Sequence, residues 1–64
     1  MIKITLPDGS VKEFNVGTTP YEIALSISEG LARNVLAAKA DDTVVGLDYK
    51  LENNTRLTLL TWND

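Results

Sequence analysis

Fifteen charged side chains, nine carboxylates and six cations, are the main carriers of polar chemistry in this 64-residue sequence, which has no histidine and no cysteine. Without histidine it lacks the commonest general base and the commonest metal ligand. No Ser–His or Cys–His nucleophile pair can form. Neither a disulfide nor a thiolate-bound metal can staple the fold. The carboxylates Asp8, Glu13, Glu22, Glu29, Asp41, Asp42, Asp48 and Glu52 are scattered through turns and caps. Asp41-Asp42 is the one adjacent pair among them. Two neighbouring carboxylates without further oxygen ligands make a poor calcium site, and turns favour Asp for their own reasons. Ser10, Ser26 and Ser28 read as turn and helix-surface residues. Pro7-Asp8-Gly9-Ser10 has one glycine and no helix after it, so it reads as a hairpin turn and a poor phosphate loop. The expectation is a chain that supplies no catalytic, cofactor-binding or metal-binding residue.

Binding by charge or stacking is the remaining possibility. Lys3 and Lys12 are expected to meet across a hairpin, with Lys39 on a neighbouring strand and Arg33 beyond it. Together they would form a modest basic face. Phosphate binding needs a clustered basic field, and the net charge of −3 works against one. The bland alternative is a mixed, solvated surface, and the isolated chain is expected to show no nucleic-acid affinity at physiological salt. Tyr21, Tyr49 and Trp62 show no spacing that would build a stacking platform. Tyr21, in a first helical turn, is expected to cover core; Trp62 is expected to pack against a following domain in an intact protein and to be partly exposed in an isolated fragment.

The elements that hold these residues follow from periodicity and turn chemistry. Met1 to Leu6 alternates Ile2, Ile4 and Leu6 with Lys3 and Thr5, the period of a half-buried strand. After the Pro7–Ser10 turn, Val11 to Val16 resumes strand character, with Phe14 and Val16 inward, and the two strands form a hairpin. Thr18-Thr19-Pro20-Tyr21-Glu22 is a helix-start signal. Thr19 fits the N-cap, Pro20 the first helical position, and Glu22 the N3 place of a capping box. Ile23, Ala24 and Ile27 share the apolar face of a helix ending near Ser28. Gly30 argues against an unbroken helix, so Gly30 to Asn34 reads as a short extra turn. Val35 to Ala40 is a third strand, Asp41-Asp42 a tight turn and Thr43 to Gly46 a fourth strand. Leu47 to Thr55 is irregular, with Leu51 as inward anchor. Arg56 to Trp62 is apolar on both faces, which places it inside the sheet and not at its edge.

These elements bury their apolar faces most simply as one α+β domain. It would be a β-grasp, ubiquitin-like mixed sheet packed on one main helix plus a short extra turn. The expected core is Ile2, Ile4, Leu6, Phe14, Val16, Ile23, Ala24, Ile27, Leu36, Leu51, Leu57 and Leu59. A chain of this size folds as a single domain over residues 1–64 with stability of roughly 3–5 kcal/mol. Its close at Asn63-Asp64, directly after a core strand, suggests a domain excised from a larger multidomain protein. It has no signal-peptide run and no stretch approaching a membrane span, which points to a soluble cytoplasmic protein.

Ile4-Thr5-Leu6-Pro7-Asp8-Gly9-Ser10, Pro20 through Ile27, Gly30-Leu31-Ala32-Arg33 and Leu57-Thr58-Leu59-Leu60-Thr61-Trp62 together resemble the TGS domain found at the N-terminus of threonyl-tRNA synthetases. The resemblance covers the whole chain. It departs at Asp41-Asp42, where the family usually has Asn-Gly. Asp tolerates positive φ less well than Gly, so a wider or more strained turn is expected there. The resemblance implies a non-catalytic accessory domain with a docking, regulatory or ligand-binding role. The parent enzyme would join threonine to tRNA with ATP and zinc bound in other domains. Partners would be those domains, and tRNA only through the parent. TGS domains also occur in guanosine-tetraphosphate synthetase/hydrolases and in Obg-like GTPases, which stand as the alternative. The helix of the former commonly carries histidines, and this chain has none. A ubiquitin-like sulfur carrier would need a terminal Gly-Gly where this chain has Trp62-Asn63-Asp64.

Overall fold

The computed structural model describes residues 1–61. The chain runs β1 (Ile2–Thr5), β2 (Val11–Phe14), α1 (Pro20–Ile27), α2 (Glu29–Asn34), β3 (Val35–Ala40), β4 (Thr43–Val45) and β5 (Thr55–Thr61). The five strands form one mixed sheet in the order β2-β1-β5-β3-β4. β1 and β5 run parallel; β1–β2, β3–β4 and β3–β5 are antiparallel. A parallel neighbour needs a long crossover, and the helices lie within the crossing segment. The strand expected inside the sheet is therefore its middle one.

α1 starts as its residues dictate. The Thr19 side chain accepts from the Glu22 amide while the Glu22 carboxylate accepts from the Thr19 amide, a complete capping box with Pro20 in the first turn. Ser28 then serves two helices at once. Its extended backbone ends α1 by donating its amide to the Ala24 carbonyl at 2.9 Å. Its hydroxyl caps α2 by accepting from the Leu31 amide at 3.3 Å. The expected short turn at Gly30–Asn34 is thus a six-residue helix beginning at Glu29.

The core is centred on Ile2, Ile4, Leu6, Ile23, Ala38, Leu51 and Leu57, with Phe14 and Leu59 packed against it. A smaller cluster joins Ala24 of α1 to Ala32 of α2 and Val35 of β3. Leu51 is pinned in its irregular segment by a two-residue bridge. The Gly17 amide donates to its carbonyl at 2.7 Å, and its own amide donates to the Thr18 carbonyl at 3.0 Å.

Three expected core residues are exposed, each for a backbone reason. Val16 lies outside β2, which stops at Phe14. It occupies the second place of a turn closed by Thr18 N–H on the Asn15 carbonyl. Gly17 follows at φ +93, as the third place of a type II turn requires. Leu36 sits at a β-bulge where the β3–β5 register shifts between Val35 and Ala37, and Val35 takes the inward place. Ile27 ends α1, so no further turn of that helix covers it. The Asp41-Asp42 turn is not widened, since Ala40 still pairs with Thr43. Its strain sits at Asp41, at φ +55.

Candidate interaction surface

One face of the sheet carries the core and helices; the other is open. Alternation and register decide which side chains share the open face. Lys3 lies opposite Glu13, and Thr5 opposite Val11 on β2 and Arg56 on β5. Lys39 lies opposite Thr58 on one side and Val44 on the other, and Ala37 opposite Leu60. The core sides of β5 and β3 are taken by Leu57 and Ala38. The open face therefore carries one cation from each of the three central strands: Lys3 of β1, Arg56 of β5 and Lys39 of β3. Val11, Val44 and Leu60 are 54%, 63% and 36% exposed on it.

The expected basic set divides differently. Lys3 and Lys12 do not meet, because Lys12 pairs with buried Ile4 and so sits at the edge of the core side. Arg33 belongs to the last turn of α2. Lys3 and Lys39 do share a face, and the residue that completes it is Arg56. Its signal lay in the sequence: Arg56, Thr58 and Leu60 are alternate residues of one strand.

At one end the open face dips into a concavity of about 490 Å³, lined by Lys3, Thr5, Val11, Asn54, Arg56 and the Asp41-Asp42 turn. Its floor is held by side chains bonded to backbone. Asn54 Oδ1 accepts from the Lys3 amide at 2.9 Å. Asp41 Oδ1 accepts from the Arg56 amide at 3.2 Å, and the Asp41 amide donates to the Arg56 carbonyl at 2.8 Å. Asp41 is thus committed to joining the β3–β4 turn to the start of β5. Among the described residues, no group of three or more His, Cys, Asp or Glu is placed to hold a metal ion.

The other singled-out residues lie away from this face. Asp8 Oδ1 accepts from both the amide and the hydroxyl of Ser10, at 2.9 and 2.6 Å. The hydroxyl bond is the larger cause holding its carboxyl below its ordinary value. Asp8 therefore builds the hairpin turn, in which Gly9 takes φ +91. Tyr21, expected to cover core, is 43% exposed on α1, and Tyr49 is 51% exposed in the segment before Leu51. Neither belongs to a strand, and Tyr49 lines a concavity with Ala40, Thr43, Val45 and Thr55. Trp62 lies outside the described residues.

A central strand joining two hairpins, with a capped helix in the crossover, defines a β-grasp domain. Residues 2–61 match the family model for the TGS domain, and the chain belongs to that family. Its whole length is similar to proteins named threonine–tRNA ligase. It is 56% identical to one from Flavobacterium psychrophilum, 58% to one from Desulforamulus reducens and 48% to one from Clostridioides difficile. The chain spans about 10% of the length of these relatives. Among the described residues no helix is long and apolar enough to cross a membrane.

Proposed function

We propose that this chain is the N-terminal accessory TGS domain of a threonine–tRNA ligase. It contributes a docking surface, and the ATP-dependent attachment of threonine to tRNA takes place in other domains of a longer chain. The observation that carries this reading is identity of 48–58% to threonine–tRNA ligases over all 64 residues. The sequence, without histidine or cysteine, supports assigning the chemistry elsewhere. The domain's partners are then the rest of its own chain and, through it, tRNA, and its setting is the cytoplasm. The open sheet face supports docking over ligand capture, because it is broad and carries Lys3, Arg56 and Lys39 on separate strands.

The gene tests this reading directly. A reading frame that continues past Asp64 into an editing domain with its histidine motif is the expected result. A stop codon immediately after Asp64, or a continuation into a nucleotide-hydrolase or GTPase domain, overturns it.

A further inference from the structure

The cations of the open face are ordered. Asn54 lies beside Lys3, so Arg56 is its diagonal neighbour two residues on. Asp41 lies beside Arg56, so Lys39 is the next diagonal neighbour. Diagonal neighbours on a sheet stand about 7–8 Å apart. The side chains of Lys3, Arg56 and Lys39 therefore leave the open face from three evenly spaced positions in a line across β1, β5 and β3. Within the strands of this face only Glu13 opposes them, at the outer edge on β2. The chain as a whole carries a net charge of −3. Three cations thus cross the sheet, while among the described residues the carboxylates other than Glu13 lie on turns, loops and helices, with the Asp41-Asp42 turn at the rim of the face.

Resting on the docking reading above, we propose that this face binds an extended acidic segment of protein whose carboxylates alternate along the chain and end in apolar residues. Alternate side chains of an extended chain recur at roughly 6.6–6.8 Å, close to the spacing of the cation line. Val44 and Leu60 flank Lys39 at one end of that line and are exposed. They offer apolar contact there that a phosphate backbone would not use. A nucleic acid is the less favoured occupant because its affinity comes from neutralising phosphates over a wide basic field. Here Glu13, Asp41 and Asp42 border the three cations. Complementary charge of this kind sets register and partner choice more than raw affinity, which suits a contact made within one long chain or transiently.

The test is a titration of the isotope-labelled 64-residue chain, followed by amide chemical shifts. The probe is an eight-residue peptide of alternating Glu and Ser closed by two leucines. Saturable shifts centred on Lys3, Thr5, Lys39, Arg56 and Thr58 are expected. Affinity should fall by about tenfold or more for the Lys39→Glu/Arg56→Glu variant, and also for a peptide with Gln in place of Glu. The Gln peptide needs no change in the protein, so it decides the matter even if the variant misfolds. Absence of saturable shifts, equal binding of the Gln peptide, or shifts centred on α1 and α2 overturns the proposal. Tighter binding of an oligouridylate of equal charge at physiological salt overturns it in favour of nucleic acid. None of these results touches the ligase-module reading, which the downstream gene sequence decides.

Discussion

Replacing Thr19 by alanine removes one half of the capping box and leaves the other in place. In the native domain Thr19 Oγ1 accepts from the Glu22 amide at 3.3 Å and donates to Glu22 Oε1 at 3.2 Å. The Thr19 amide donates to the same carboxylate oxygen at 3.1 Å. Alanine orphans the Glu22 amide and removes the hydroxyl that steadies the carboxylate, but keeps the third bond. N-cap losses of this kind cost about 1 kcal/mol, within a range of about 0.5–2. Against a total of roughly 3–5 kcal/mol that is a large share. At this chain length it lowers Tm by about 4–8 °C. Glu22→Gln keeps an acceptor and loses only the charge at the positive end of α1, a smaller cost of about 0.3–1 kcal/mol. Because the two residues share bonds, their alanine variants should not add. A double-mutant cycle is expected to show a coupling of about 0.5 kcal/mol or more. Urea unfolding followed by far-ultraviolet circular dichroism measures all of these. If Thr19→Ala lies within about 0.3 kcal/mol of the native domain, or the cycle is additive, packing alone holds α1 in place and the cap is incidental.

Leu57 is fully buried in the central strand. Leu57→Ala should cost about 2–5 kcal/mol, enough to leave much of the chain unfolded, and amide dispersion would report it. At Asp41, asparagine keeps the acceptor and tolerates φ +55. Asp41→Asn should therefore stay within about 0.5 kcal/mol of the native domain, while Asp41→Ala loses about 1–2 kcal/mol in thermal melts. Asp8 gives a pH signature. Its folded carboxyl lies below its ordinary value, so its contribution is fully present above the ordinary range, roughly pH 4. That contribution is lost as pH falls through the lower folded value. Asp8→Asn, which keeps an acceptor for Ser10 but not the charge, should lose that contribution at neutral pH, leave the low-pH end nearly unchanged, and so flatten the acid limb of the stability curve.

Local signals were legible where one residue's chemistry fixes its backbone. The Thr19-Pro20-Glu22 start, the Pro7–Ser10 turn and the alternation of Ile2, Ile4 and Leu6 all stand where their chemistry puts them. Leu51 was legible as an aliphatic side chain set among the polar residues of the Leu47–Thr55 stretch. Failures came where the backbone departs from a regular period. Val16, Leu36 and Ile27 have inward-looking periodicity, but a type II turn, a bulge and a helix end respectively carry them out. Small residues were under-read, because Ala32 and Ala38 become core only once α2 and β5 close over them. The open face suffered from a register problem. Pairing Lys3 with Lys12 required a hairpin offset by one, and a one-residue slip sends a side chain to the other face. Arg56 was passed over because its companions lie on β1 and β3, more than fifteen residues away in the chain. Only the strand order brings them together.

The central position of β5 has a consequence for how the domain is made. The strand that joins the β1–β2 hairpin to the β3–β4 hairpin is the last element synthesised. Isolated hairpins are marginal in water. A nascent chain that has emerged only to residue 54 therefore holds two unjoined ladders with Ile4 and Ala38 uncovered. At about 5–20 residues per second, the ribosome adds the seven residues Thr55–Thr61 in roughly 0.4–1.4 seconds, and the sheet closes only after that segment clears the exit tunnel. In a longer chain of the kind proposed above, folding of this domain is thereby timed by the residues translated next. In such a chain, a pause placed beyond the codon for Thr61 by at least the length of chain the exit tunnel holds would give the sheet time to close before further chain emerges.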